Sequence, residues 1–195
     1  GLDEPWELGQ GRSRAEAERR GVGAVYLDHL RRLHEMVSAR GRTMQFWGDI
    51  ILAHPEHIPD LPRDVIVMNW GYTAEHPFDE QCPQFARLGL PFYVCPGTSS
   101  WNAIAGRLRT GIANLQNATT HGRAHGARGC LITDWGDGGH WQPLPISYPG
   151  YAYGLALAWA GEANRELDLA RALDVHAFDD PAGVTGRVVC DLGVA

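Results

Sequence analysis

Apolar positions along this chain fall into two alternating rhythms. From Val22 to Arg40, the residues Val22, Tyr26, Leu30, Leu33 and Val37 recur at helical spacing and stop at Gly41, which predicts an amphipathic helix. Thr43–Trp47 then reads as a strand, followed by a His- and Pro-rich segment, His54–Pro62. Asp64–Trp70 is a continuous apolar run rich in β-branched residues, the kind of strand that is buried on both faces. Phe78–Leu88 reads as a short helix that ends at Gly89, with Pro83 weakening its first half. Pro91–Cys95 and Gly129–Thr133 read as further strands. Between them Ile104–His125 reads as a helix with Ile104, Leu108, Ile112 and Leu115 on one face. Tyr151–Leu173 is a long apolar-rich helix with a break near Gly161. After Asp174 the pattern weakens, and Asp179-Asp180-Pro181-Ala182-Gly183 reads as a loop into one more element.

Helix and strand patterns in alternation, with strands buried on both faces, predict an α/β fold: a parallel sheet with helices outside it. An open doubly wound sheet and a closed barrel both satisfy this. No G-x-G-x-x-G and no P-loop opens a helix, which counts against the nucleotide-binding versions of the open sheet. The formal net charge of -6 and the lack of a basic stripe argue against a nucleic-acid partner. No stretch approaches the roughly 20 apolar residues of a membrane span. Cys82, Cys95, Cys130 and Cys190 lack C-x-x-C spacing, so neither a zinc site nor a disulfide framework is expected. Cys95 and Cys130 read as small buried hydrophobes. The chain opens Gly-Leu-Asp-Glu-Pro without an initiator Met or a signal peptide, and reads as cut from a longer protein; it shows no localisation signal.

The polar residues gather where strands end. Asp3-Glu4-Pro5-Trp6 comes first, then Trp47-Gly48-Asp49, then Asn69-Trp70-Gly71-Tyr72. The next strand contains Tyr93 and runs to Pro96–Asn102, which includes Trp101; the last ends Asp134-Trp135-Gly136-Asp137, with His140 close behind. In a parallel barrel such ends lie on one face, where active sites are built. A Trp at one strand end is commonly packing, but the same pattern at successive ends points to a ligand. Indole faces stack on the apolar face of a sugar, and carboxylates accept hydrogen bonds from its hydroxyls. Hydrolysis of a glycosidic bond needs an acid, for which Glu4 is the candidate. Pro91–Asn102 contains no Asp or Glu, so the segment where a retaining barrel glycosidase commonly carries its nucleophile has none; a nucleophile supplied by the substrate is favoured.

These residues resemble glycoside hydrolase family 20, the β-N-acetylhexosaminidases. The likeness rests on Gly1-Leu2-Asp3-Glu4 and its continuation to Ser13, closest to the hexosaminidase D-like branch, and on the ordered tryptophans Trp47, Trp70 and Trp135. Trp135-Gly136-Asp137 is similar to the family's Trp-Gly-Glu. The resemblance covers roughly Gly1 to Glu162 and implies the C-terminal half of a (β/α)₈ TIM barrel, from the tip of strand four (Gly1–Glu4) through helix eight. Residues 1–174 would be the partial catalytic domain and 175–195 the start of a C-terminal extension, with the N-terminal half of the barrel as the missing partner. The family commonly has a Tyr followed by an Asp after strand seven; here Ser100-Trp101-Asn102 follows Tyr93, and the acetamide clamp stays unassigned.

The resemblance further implies a substrate with a terminal β-linked N-acetylhexosamine. Its 2-acetamido oxygen would be the nucleophile, Asp3 would hold the acetamide nitrogen, and Glu4 would be the general acid and then base. Substrate would be bound by Trp47, Asp49, Trp70, Tyr72, Tyr93, Trp101, Trp135, Asp137 and His140, and Asp3, Glu4, Trp47, Trp70, Tyr93 and Trp135 are expected around one concave site. No metal or organic cofactor is needed. His121 and His125 stand four apart on a helix, but no H-E-x-x-H pattern accompanies them. Two other readings stay open: a retaining glycosidase that pairs Glu4 with Asp49, Asp134 or Asp137, and a carbohydrate-binding barrel without catalysis.

Overall fold

The computed structural model of the chain describes residues 2–194. Helices α1 (Arg14–Arg20) and α2 (Val22–Ser38) precede β1 (Gln45–Trp47) and the short α3 (Asp49–Ala53). Then come β2 (Ile66–Trp70), α4 (Phe78–Arg87), β3 (Phe92–Cys95), α5 (Leu108–Ala124) and β4 (Gly129–Cys130). Helices α6 (Tyr148–Ala160), α7 (Leu169–Leu173) and α8 (Thr185–Leu192) follow. The fold is α/β: one four-stranded parallel sheet in the order β1-β2-β3-β4, with helices around it. The expected strand tip at Gly1–Glu4 falls partly outside the described residues, and Leu2–Glu4 take no strand conformation. The chain divides into two compact units, Gly1–Trp70 with Glu80–Tyr93 and Gly71–Asp79 with Val94–Ala195.

In the first unit β1 and β2 run parallel with Trp47 paired to Met68. This register puts Trp47, Met68 and Trp70 on one face and Phe46, Val67 and Asn69 on the other. Val67 and Met68 point to opposite faces and both are buried, as the apolar run predicts. Phe46, Val67, Phe85 and Phe92 are closed to solvent, and the rings of Phe85 and Phe92 stand 5.6 Å apart. Burying each such side chain contributes about 1.5–3 kcal/mol. Helix α4 carries Pro83 inside it and stops before Gly89, whose φ of 65° ends the turn. Helix α1 lacks an apolar rhythm because it buries no residue; ion pairs of Glu16 with Arg19 and Arg20, and of Arg20 with Asp28, line its surface.

In the second unit Leu108 and Leu115 of α5 pack with Tyr153 and Leu157 of α6 and Leu169 and Leu173 of α7. Cys190 of α8 and Val194 pack against this cluster. The break expected near Gly161 is there: α6 ends at Ala160 and Gly161 has a φ of 57°. Helix α5 begins later than expected, at Leu108, and Ile104 is 78% exposed instead of on its apolar face. Gly106 turns the chain with a φ of 80°, a conformation that a helix cannot pass through. Strand β4 is regular only over Gly129–Cys130. Its pairing nonetheless continues through Leu131 N–H to the Val94 carbonyl (3.0 Å) and Thr133 N–H to the Pro96 carbonyl (2.8 Å). Burial raises the thiol pKa of Cys95, and pushes those of Cys130 and Cys190 up to about 12 and about 11. None of the four cysteines, all among the described residues, is joined in a disulfide.

Two glycines let helices press onto the loop after β3. A Cβ at Gly111 in α5 would lie 2.5 Å from the Thr98 carbonyl oxygen, and one at Gly150 in α6 would lie 2.8 Å from the Thr98 Cα. Neither contact can relax by moving a flexible side chain. Gly111→Ala is therefore expected to destabilise the protein by about 1–3 kcal/mol, read as a lower midpoint in urea unfolding. A midpoint equal to that of the parent would show that α5 can move off the loop freely.

Candidate functional site

The Asp3–Glu4 segment leaves no regular element, so side chains from other elements of the first unit hold it. Asp49, the first residue of α3, accepts the backbone N–H of Glu4 on Oδ2 at 3.0 Å. Its Oδ1 accepts the indole N–H of Trp70 at 3.3 Å. The Tyr26 hydroxyl, from the buried face of α2, donates to the Leu2 carbonyl at 3.4 Å. Burial holds the Tyr26 hydroxyl well above the ordinary tyrosine range, and the nearby Asp49 and Asp3 carboxylates push it the same way. Pro5 sits in a tight turn closed by the Trp6 N–H on the Glu4 carbonyl at 2.8 Å. The carboxylates of Asp3 and Glu4 are exposed, while Trp47, Asp49, Trp70 and Tyr93 are half-buried. The structure thus joins Glu4, Asp49 and Trp70 into one hydrogen-bonded group.

A second group forms within the second unit. The Trp135 indole donates to the Tyr72 hydroxyl at 2.9 Å, with the two rings 6.5 Å apart. Tyr72 also meets Trp101 edge to face at 5.1 Å. Gly97 fits beneath them, since a Cβ there would lie 2.4 Å from the Trp101 ring. Trp101 is buried, whereas Tyr72 and Trp135 are half-buried and keep accessible surface. Asp137 and His140 lie exposed on the loop after β4, which rests on Asn102: a Cβ at Gly138 would be 2.8 Å from the Asn102 Oδ1.

Asp134 has a different environment. Its carboxylate accepts hydrogen bonds from Thr98 (2.6 Å), Ser100 and Ser147 (2.7 Å). The hydroxyls that hold it are buried, so it fastens the loop after β3 to the loop after β4 and to the entry of α6. A carboxylate saturated in this way is a poor nucleophile.

Backbone geometry marks the same segments. Six described non-glycine residues have positive φ: Leu2, Glu4, Ser99, Asn102, His140 and Asp179. Glu4, Ser99, Asn102 and His140 lie in segments singled out by their polar residues, and Leu2 adjoins the first of these. Such conformations persist only where the surroundings enforce them, and they cluster at functional sites.

Sequence reasoning missed Tyr26, whose helical spacing marks it as a core residue and nothing more. It also passed over Trp141, which is 71% exposed on the loop of Asp137 and His140 and donates its indole N–H to the Gly138 carbonyl. Among the described residues no three His, Cys, Asp or Glu side chains are grouped so as to hold a metal ion. No model of a known protein family matches the chain, and no curated protein is significantly similar to it.

Proposed function

We propose that this chain is the C-terminal half of a (β/α)₈-barrel glycoside hydrolase that removes terminal β-linked N-acetylhexosamine residues by a retaining, substrate-assisted mechanism. One observation carries the proposal. An exposed acid, Glu4, is joined through Asp49 to the indole of Trp70, at the C-terminal end of a parallel strand. A sugar with a protonatable glycosidic oxygen requires a proton donor and a flat apolar surface, and Asp49 holds the backbone of the one and the indole of the other.

Glu4 gives its proton to the glycosidic oxygen as the bond to the anomeric carbon breaks. The carbonyl oxygen of the substrate's own acetamide forms the new bond to that carbon. Asp3 accepts a hydrogen bond from the acetamide N–H and offsets the positive charge that develops there. Water then attacks the same carbon, Glu4 takes its proton, and the acetamide is released with configuration retained. Trp47 and Trp70 are the proposed stacking surfaces of the first unit. Tyr93 is a further proposed aromatic contact of the first unit; within the second unit Tyr72, Trp101 and Trp135 are the proposed aromatic contacts, and Asp137 and His140 the proposed partners of sugar hydroxyls. The hydroxyls gathered on Asp134 favour this route over a nucleophilic Asp134.

Glu4→Gln in the full-length protein is expected to lower turnover of a chromogenic N-acetyl-β-D-glucosaminide by at least about 10²-fold. The thermal unfolding midpoint should stay within error of the parent, because the Glu4 side chain is exposed. Near-normal turnover by this variant would overturn the assignment. Asp3→Asn is expected to lose comparable activity on acetamido substrates, and the ¹H NMR spectrum of the first-formed sugar should show the β-anomer for the parent enzyme. An α-anomer as first product would exclude the substrate-assisted route.

A further inference from the structure

We propose that Asp49 is a positioning residue for the general acid; this rests on the glycosidase function proposed above. Both of its oxygens already face protein donors, the Glu4 backbone N–H at 3.0 Å and the Trp70 indole N–H at 3.3 Å. A carboxylate accepting from N–H groups makes stronger bonds than a neutral acceptor does. The residue it grips needs gripping: Glu4 has a φ of 43°, a conformation that a non-glycine residue holds only when its surroundings impose it. Leu2, on the other side of Asp3, is held in the same region at a φ of 74°, and its carbonyl takes the Tyr26 hydroxyl. Asp49 and Tyr26 therefore fasten the acidic pair from both sides, and Asp49 also ties it to the indole.

The consequence is specific to proton transfer. A change at the Glu4 backbone swings its carboxyl group relative to the Trp70 surface on which the sugar would lie. Misplacement by about 1 Å costs on the order of 10²-fold when a proton must be delivered to a fixed oxygen. It costs little when the aglycone leaves without a proton. Loss of Asp49 should therefore be felt in proportion to how much the leaving group needs an acid.

The test compares the full-length parent with Asp49→Asn on two N-acetyl-β-D-glucosaminides, one with an alkyl aglycone and one with a 2,4-dinitrophenyl aglycone. Asparagine keeps the shape but removes the charge and one acceptor, and turns an N–H toward a donor. The quantity compared is kcat/KM, which reports only the steps up to aglycone departure. For the alkyl glycoside it is expected to fall by about 30- to 100-fold, and for the dinitrophenyl glycoside by less than about threefold. Because both substrates are measured on one preparation, the folded fraction cancels in their ratio. Equal losses on both would overturn the positioning role and leave Asp49 a merely structural residue. A parent that cleaves neither substrate would overturn the glycosidase function, and this proposal with it. If Asp49→Asn yields no folded protein, Tyr26→Phe loosens the same segment at Leu2, and the alkyl-to-dinitrophenyl ratio should fall in the same direction by about two- to fivefold. An unchanged ratio there would likewise refute the proposal.

Discussion

A parallel strand buried on both faces has no room for chemistry along its length. In β2, Val67 and Met68 point to opposite sides and both are closed to solvent. Neither face of the strand's middle can carry a solvated carboxylate, so charged contacts are displaced to its end, where Trp70 meets Asp49. Parallel pairing of β1 with β2 brings their C-terminal ends to the same edge, and places Trp47 and Trp70 on one face. The Asp3–Glu4 segment takes no strand conformation of its own under this constraint. It needs only acceptors and donors at that edge, which Asp49 and Tyr26 provide.

Two carboxylates that directly follow or precede a strand-end Trp motif take different tasks. Asp49 accepts N–H groups from a loop and an indole, and so orients a segment that would otherwise relax. Asp134 gathers Thr98, Ser100 and Ser147, and so joins loops that are pressed between α5 and α6. The same residue type in nearly the same sequence context thus follows from what surrounds it: N–H donors in one place, buried hydroxyls in the other. Close approach makes the second case possible, because Gly111 and Gly150 let the helices reach the Thr98 backbone.

What the sequence discloses depends on whether a residue's partners are near it in the chain. Strands β2 and β3 and helices α2, α4 and α6 follow from local apolar spacing, and the structure has them within a few residues of where the spacing puts them. Helix α1 leaves no apolar trace, since it buries nothing and its charges pair on its surface. Ile104 matches the rhythm of α5, yet one glycine at a φ of 80° outweighs that match. The tie from Asp49 to Glu4 spans 45 positions and the one from Thr98 to Asp134 spans 36, and no periodicity encodes either. Candidate residues were therefore legible by chemical type and by their place at strand ends, while the partners that assign them a task were not.

The state of the thiols bears on how the molecule's breathing could be followed. Cys82 and Cys95 are fully enclosed, and burial keeps the Cys95, Cys130 and Cys190 sulfurs protonated far above neutral pH. Alkylating reagents attack thiolate, so the folded chain offers them almost nothing to react with. Cys95 and Cys130 lie on neighbouring strands of the second unit, Cys190 lies on α8, and Cys82 lies on α4 in the first unit. The enclosed sulfurs of Cys82 and Cys95 become reachable only when their own neighbourhoods open. Native cysteines placed in this way mark three regions, α4, the adjoining strands β3 and β4, and α8, and their rates of modification would chart which of these opens first.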